Sequence, residues 1–128
     1  MPPPRGSWNP LEGPGDYTTT ALVHSDIYPA ISPLHTDLSG KHIFITGASR
    51  GIGRAIALSY AAAGASRIIL AARSDLDPVE VDVRNAANRA GRSEPKVLCL
   101  KVDLLDDESV SRAAKEMGNG VMGSWTLW

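Results

Sequence analysis

Cysteine is nearly absent: Cys99 is the only one in 128 residues. That excludes an internal disulfide framework and fits a reducing compartment. Cys99 lies in an apolar strand-like run, where a packed, inert thiol is expected. An excess of one charge is lacking too. Thirteen basic residues meet fourteen acidic ones, the net charge is −1, and the basic residues form no dense cluster. That excludes the electrostatic footprint of a nucleic-acid surface. The three histidines, His24, His35 and His42, have neither the spacing nor the cysteine partners of a metal site. No apolar run is long enough to read as a membrane span. The longest, Ala55 to Ala72, is broken by Ser59, Gly64, Ser66 and Arg67, in the pattern of a helix followed by a strand. The opening Met-Pro-Pro-Pro-Arg-Gly-Ser-Trp lacks the apolar core of a secretory signal. A cytoplasmic protein with no nucleic-acid or membrane partner is expected.

What is present divides into three stretches. Residues 1–38 are an N-terminal tail and arm. Residues 1 to about 16 are too rich in Pro, Gly and polar groups to offset ordering entropy, and disorder is expected there. The run Tyr28-Pro29-Ala30-Ile31-Ser32-Pro33 is apolar but pinned by prolines, which predicts an extended arm lying across the domain surface. Residues 39–118 alternate between strand-like and helix-like runs, and 119–128 form an apolar tail with two tryptophans.

In the middle stretch, residues 41–46 read as a strand that is apolar on both faces. A helix follows over 51–63, with Ile52, Ile56, Tyr60 and Ala63 on its expected buried face and Gly64 just past its end. Residues 67–72 read as a second strand. Residues 74–90 read as a second helix, capped by Asp75 or Asp77, with Pro78 in its first turn. Val79, Val83, Ala86, Ala87 and Ala90 give that helix one apolar face. A third strand spans 96–102. A third helix, capped by Asp106 or Asp107, runs through Val110, Ala113, Ala114 and Met117, and Gly118-Asn119-Gly120 is expected to end it. Such alternation implies parallel strands joined by right-handed crossovers. The fold class is α/β: a Rossmann-like doubly wound parallel sheet, incomplete, with the β-α-β-α-β-α half present.

Between the first strand and the first helix stands Thr46-Gly47-Ala48-Ser49-Arg50-Gly51-Ile52-Gly53. Strand, glycine-rich turn and helix together are the context of a dinucleotide-binding loop. Gly47 permits a sharp turn off the strand. Gly51 lets a pyrophosphate approach the backbone, and Gly53 lets the helix pack closely. The free N–H groups at the helix start would face the phosphates.

Thr-Gly-x-x-x-Gly-x-Gly resembles the cofactor loop of the short-chain dehydrogenase/reductase family. The resemblance covers roughly Leu38 to Met117, and the tail 119–128 does not resemble the family's continuation. The arm before it is similar to a leader found in some fungal members. The resemblance implies a nicotinamide dinucleotide as partner, held by Thr46, Gly47, Ser49, Arg50, Gly51, Ile52 and Gly53. It implies that the end of the second strand meets the adenine ribose. Members that use NAD commonly carry an acid there, whereas Ala72 and Arg73 stand there in this chain. An acid would repel a 2′-phosphate and an arginine can hold one, so Arg73, with Arg50, implies NADP in preference to NAD. Asp103 occupies the family's adenine-contacting position, with Leu104 beside the ring.

The family's chemistry uses a tyrosine acid/base, a lysine four residues later and an upstream serine. The tyrosines here are Tyr17, Tyr28 and Tyr60, and four residues beyond them stand Ala21, Ser32 and Gly64. No catalytic residue is therefore assigned, and Tyr60 is read as a packing residue. The Asn-Asn-Ala-Gly segment of the family's fourth strand is also missing, and the family's dimer interface is expected to be missing with it. Three readings stand. One is the cofactor-binding portion of an oxidoreductase, truncated before its catalytic half. Another is a nucleotide-binding module without chemistry. The third is an interaction protein whose Trp125 and Trp128 dock on a partner. The first is adopted.

Overall fold

A computed structural model describes residue 24 and residues 26–120. The expected disorder of residues 1–16 and the apolar tail from Val121 onward lie outside the described residues. The chain divides between Ile31 and Ser32 into two units. In the first, the rings of His24 and Tyr28 stack, with centroids 3.9 Å apart.

The second unit is built in chain order from β1 (His42–Thr46), α1 (Gly51–Ala62), β2 (Arg67–Ala72), α2 (Asp77–Arg89), β3 (Lys96–Lys101) and α3 (Asp107–Gly120). The strands form one parallel sheet in the order β1-β2-β3. This is the expected incomplete Rossmann-like arrangement. Parallel strands bury both faces, so β2, in the centre, carries an unbroken run of five buried residues from Ile68 to Ala72. Side chains alternate across the sheet. Ile43, Ile45, Ile68, Leu70 and Ala72 point to one face, where α1 and α2 cover them. Ile69, Ala71 and Leu100 point to the other, where Ala113 and Met117 of α3 lie. Each fully buried Ile or Leu contributes about 1.5–3 kcal/mol of transfer free energy.

Strand and helix positions match the sequence pattern closely, but α1 buries a different face from the one expected. Ile52 is 81% exposed and Ile56 41% exposed, whereas Ala57 and Ala61 are fully buried. The reason is distance. A Cβ on Gly53 would lie 2.2 Å from the Gly47 carbonyl oxygen, so the helix approaches too closely for large side chains to face the sheet. Of the residues expected on the buried face, Ala63 is buried and Tyr60 half-buried, packed at the margin of the core. In α2, Val79, Val83 and Ala87 are buried as expected. α2 starts at Asp77, three residues later than expected, and its cap position is Leu76, not Asp75 or Asp77; Pro78 sits in its first turn, and the Asp75 carboxylate accepts from the Asp77 amide at 3.1 Å. Arg54 on α1 donates to Asp82 on α2 through Nε at 3.2 Å, an exposed pair worth a fraction of a kcal/mol.

One further expectation is corrected. The arm is not extended: Pro29–Ile31 and Pro33–His35 form short 3-10 turns. Proline's fixed φ suits the first position of such a turn, and the Ser32 hydroxyl accepts from the Leu34 amide. The third helix takes in Gly118-Asn119-Gly120, and Gly120 is its last described residue. Gly118 has a helical backbone here, not the positive φ of a terminating glycine. Gly64, by contrast, ends α1 at φ +86°.

Residues 33–41 are fastened to the unit that carries the sheet. The Leu38 amide donates to the Ala63 carbonyl at 2.9 Å and the Gly40 amide donates to the Ser66 hydroxyl. Arg92 donates to the carbonyls of Leu34 and Thr36, its side chain crossing the space that a Cβ on Gly64 would crowd.

β1 pairs only with β2 among the described residues, so its other edge is open. Of residues 43–46, alternate amides point away from β2. Those amides should exchange with solvent orders of magnitude faster than their neighbours. Uniform slow exchange across 43–46 in a monomer, measured by hydrogen–deuterium exchange, would contradict an open edge.

Candidate cofactor-binding site

The site is formed where the chain leaves the C-terminal ends of the three strands. Thr46 ends β1, and Gly47 turns the backbone at φ +65°, a conformation that favours glycine. The Ala48 amide donates to the Ala71 carbonyl of β2 at 3.2 Å and holds the turn against the sheet. Gly51 opens α1 at φ +61° and would have open space where its Cβ would stand. Arg50, the residue before α1, places no side-chain bond on the first-turn amides, and no acid lies in that turn. Those amides therefore retain their capacity to bind an anion.

A cleft of about 390 Å³ lies across these strand ends. It brings together seven of the residues singled out from the sequence: Thr46, Gly47, Ser49, Arg50, Arg73, Asp103 and Leu104. Gly51, Ile52 and Gly53 do not line it. Gly53 acts from behind, through its contact with Gly47, and the Ile52 side chain stands in solvent. Ser74 and Leu105 line the cleft and were not foreseen. Ser74 follows Arg73 directly, so proximity was the available signal. Leu105 is 91% exposed, and an isolated leucine after a strand carries no periodic signal at all.

The charges around the cleft are two arginines and one aspartate. Arg50 and Arg73 are exposed and make no ion pair among the described residues. Asp75 does not line the cleft; its carboxylate is turned to the start of α2. Asp103 is half-buried, and its Oδ1 accepts from the Leu105 amide at 3.0 Å. Away from the cleft, burial pushes the Cys99 thiol up to about 11, with the neighbouring Glu80 carboxylate adding to the rise. A thiol so raised stays protonated at neutral pH, in keeping with the inert, packed role read from its surroundings.

A family model described as short chain dehydrogenase matches residues 41–127. The chain belongs to that family. The match runs to residue 127, beyond Met117, and so takes in most of the 119–128 tail that was expected to lie outside the family. A short chain dehydrogenase from Monascus ruber, pigC, is 57% identical over 114 residues, which is 89% of this chain and 38% of that protein. An alignment of that extent takes in residues 17–38 wherever its ends fall. A short-chain type dehydrogenase/reductase from Mycobacterium marinum superposes with a TM-score of 0.56 at 35% identity, over 66% of this chain and 31% of that one. An oxidoreductase from Haemophilus influenza, solved with bound NAD, shares the fold at 22% identity and a TM-score of 0.52, over 69% of this chain and 29% of that one. This short chain dehydrogenase chain thus spans about a third of the length of the relatives it matches. Nicotinamide dinucleotides are the cofactors of its family.

Proposed function

We propose that this chain is the cofactor-binding portion of an NADP-dependent short-chain dehydrogenase, and that the cleft holds the adenosine end of NADP(H). The observation that carries the reading is the pair Arg50 and Arg73, both lining the cleft without a carboxylate partner among the described residues, beside Ala72 where an acid would favour NAD. A guanidinium binds phosphate through charge-assisted, two-pronged hydrogen bonds. In this reading Thr46, Gly47, Ser49, Gly51, Ile52 and Gly53 form the loop at the pyrophosphate, and the first amides of α1 receive its charge. Asp103 accepts from the adenine amino group, with Leu104 against the ring. When bound, the nicotinamide ring supplies a hydride. The residues named here bind and orient; none of them moves a proton. A reducing, cytoplasmic setting suits a chain with one unpaired thiol.

Calorimetric titration of the 128-residue chain tests the proposal. NADP is expected to bind more tightly than NAD by about tenfold or more, the effect of one charge-assisted contact. Arg73→Asp should remove or reverse that preference. Equal affinities, or an NAD preference in the unmutated chain, would refute NADP as the cofactor.

A further inference from the structure

The sheet ladder ends at Val102, whose amide donates to the Ala72 carbonyl at 2.9 Å. The next amide, that of Asp103, has no strand to pair with. It donates instead to the Ser109 hydroxyl oxygen at 3.0 Å. Ser109 stands in the first turn of α3, two residues after Asp107. Asp106 fixes that turn in its own way, its carboxylate accepting from the Glu108 amide at 3.1 Å. Asp103 is thereby held at three points. Its amide is bound by Ser109, its carbonyl accepts from the Asp106 amide, and its Oδ1 accepts from the Leu105 amide. Only Oδ2 keeps no partner among the described residues.

We propose that Ser109 is a positioning residue for cofactor recognition: it locks the backbone of Asp103 so that the one remaining carboxylate oxygen faces the adenine amino group. The inference rests on the proposed cofactor reading and deepens it. Ser109 does not line the cleft. Its effect passes through the single bond to the Asp103 amide, at the junction where the sheet ends and the helix begins. A half-buried amide left without its acceptor loses that bond, so removal of the hydroxyl should let the turn from Asp103 to Asp106 relax and swing the carboxylate.

The readout is base discrimination, which general damage to the fold would leave alone. The probes are NADP and its hypoxanthine analogue, in which a carbonyl oxygen replaces the amino group. A site built to bond a donor rejects the analogue that lacks it. The unmutated chain should bind the analogue about tenfold or more weakly than NADP. Ser109→Ala should bring the two affinities to within about threefold, while the ratio of 2′,5′-ADP to 5′-AMP binding stays unchanged. Ser109→Thr, which keeps the hydroxyl, should restore the discrimination. If Ser109→Ala weakens both cofactors by the same factor and preserves their ratio, Ser109 is structural only and the proposal is wrong. If the unmutated chain fails to discriminate, the adenine role of Asp103 fails first and the Ser109 proposal falls with it.

Discussion

Gly53→Ala should abolish dinucleotide binding although residue 53 does not line the cleft. A Cβ there would lie 2.2 Å from the Gly47 oxygen and 2.7 Å from the Gly47 carbon. Both are backbone atoms, so no side chain can swing aside to relieve the overlap. Gly47 is itself the turn that carries the loop, and the Ala48 amide beside it is bonded to β2. Either α1 tilts away from the sheet or the turn is pushed into the space the phosphates need. Overpacking of this kind costs about 1–3 kcal/mol, and in a domain this small 2 kcal/mol is about 10 °C of melting temperature. The expected result is a melting temperature lower by about that amount and no detectable saturation in a titration with NADP. Gly118→Ala is the control. It makes the same change inside α3, where a Cβ would meet nothing within 4 Å, and should be neutral or slightly stabilising. Binding by Gly53→Ala within about threefold of the unmutated chain would show that the close approach is not what shapes the site.

The 128-residue chain is further expected to oxidise no NADPH at an enzymatic rate. Orienting a nicotinamide places one reactant. Holding the carbonyl or alcohol against it supplies several kcal/mol more, and a tuned proton donor or acceptor typically adds about 10²–10⁴ in rate. The family's donor is a tyrosine made acidic by a lysine four residues later, because free tyrosine ionises only near pH 10. None of the three tyrosines here has that lysine. Tyr60 packs at the margin of the core and Tyr28 is stacked on His24. The assay follows NADPH absorbance against a panel of ketones, aldehydes and quinones. Turnover above a heat-inactivated control, lost in Gly51→Trp, would overturn the expectation.

The parts of this fold that were legible in the sequence are those where one local cause decides. Continuous apolar runs located three parallel strands, and the spacing of the loop glycines located the cleft. Gly47, Gly51 and Gly64 take the positive φ that their positions in a turn, a helix start and a helix end require. The sequence misled where two causes compete. Periodicity favoured Ile52 and Ile56 as the buried face of α1 because they are large, but the contact at Gly53 admits only small residues such as Ala57 and Ala61. Prolines in the arm suggested extension, yet the same fixed φ starts a 3-10 turn when Ser32 supplies the cap. That Arg73 and Asp103 line the cleft follows from their places just beyond the ends of β2 and β3. The bond from the Asp103 amide to Ser109 was not legible, because it depends on the first turn of α3 folding back to an amide six residues earlier.

The change of side between α2 and α3 sets the direction in which this sheet can grow. From β1 to β3 each crossover passes over one face, and each new strand is added on the same flank. α3 lies over the opposite face. A parallel strand laid down after it, by the right-handed connection that such units almost always use, returns past β2 and β1 and arrives at the open edge of β1. With such a strand in place the sheet would part in two directions at the C-terminal end of β1, and ligands of open α/β sheets settle in the crevice at such a parting. Gly47 and Arg50 stand at that point. Whatever strand comes to lie beside β1 becomes the second wall of the cleft, so residues far along a chain of this topology end up facing a loop that precedes them by three strands and three helices.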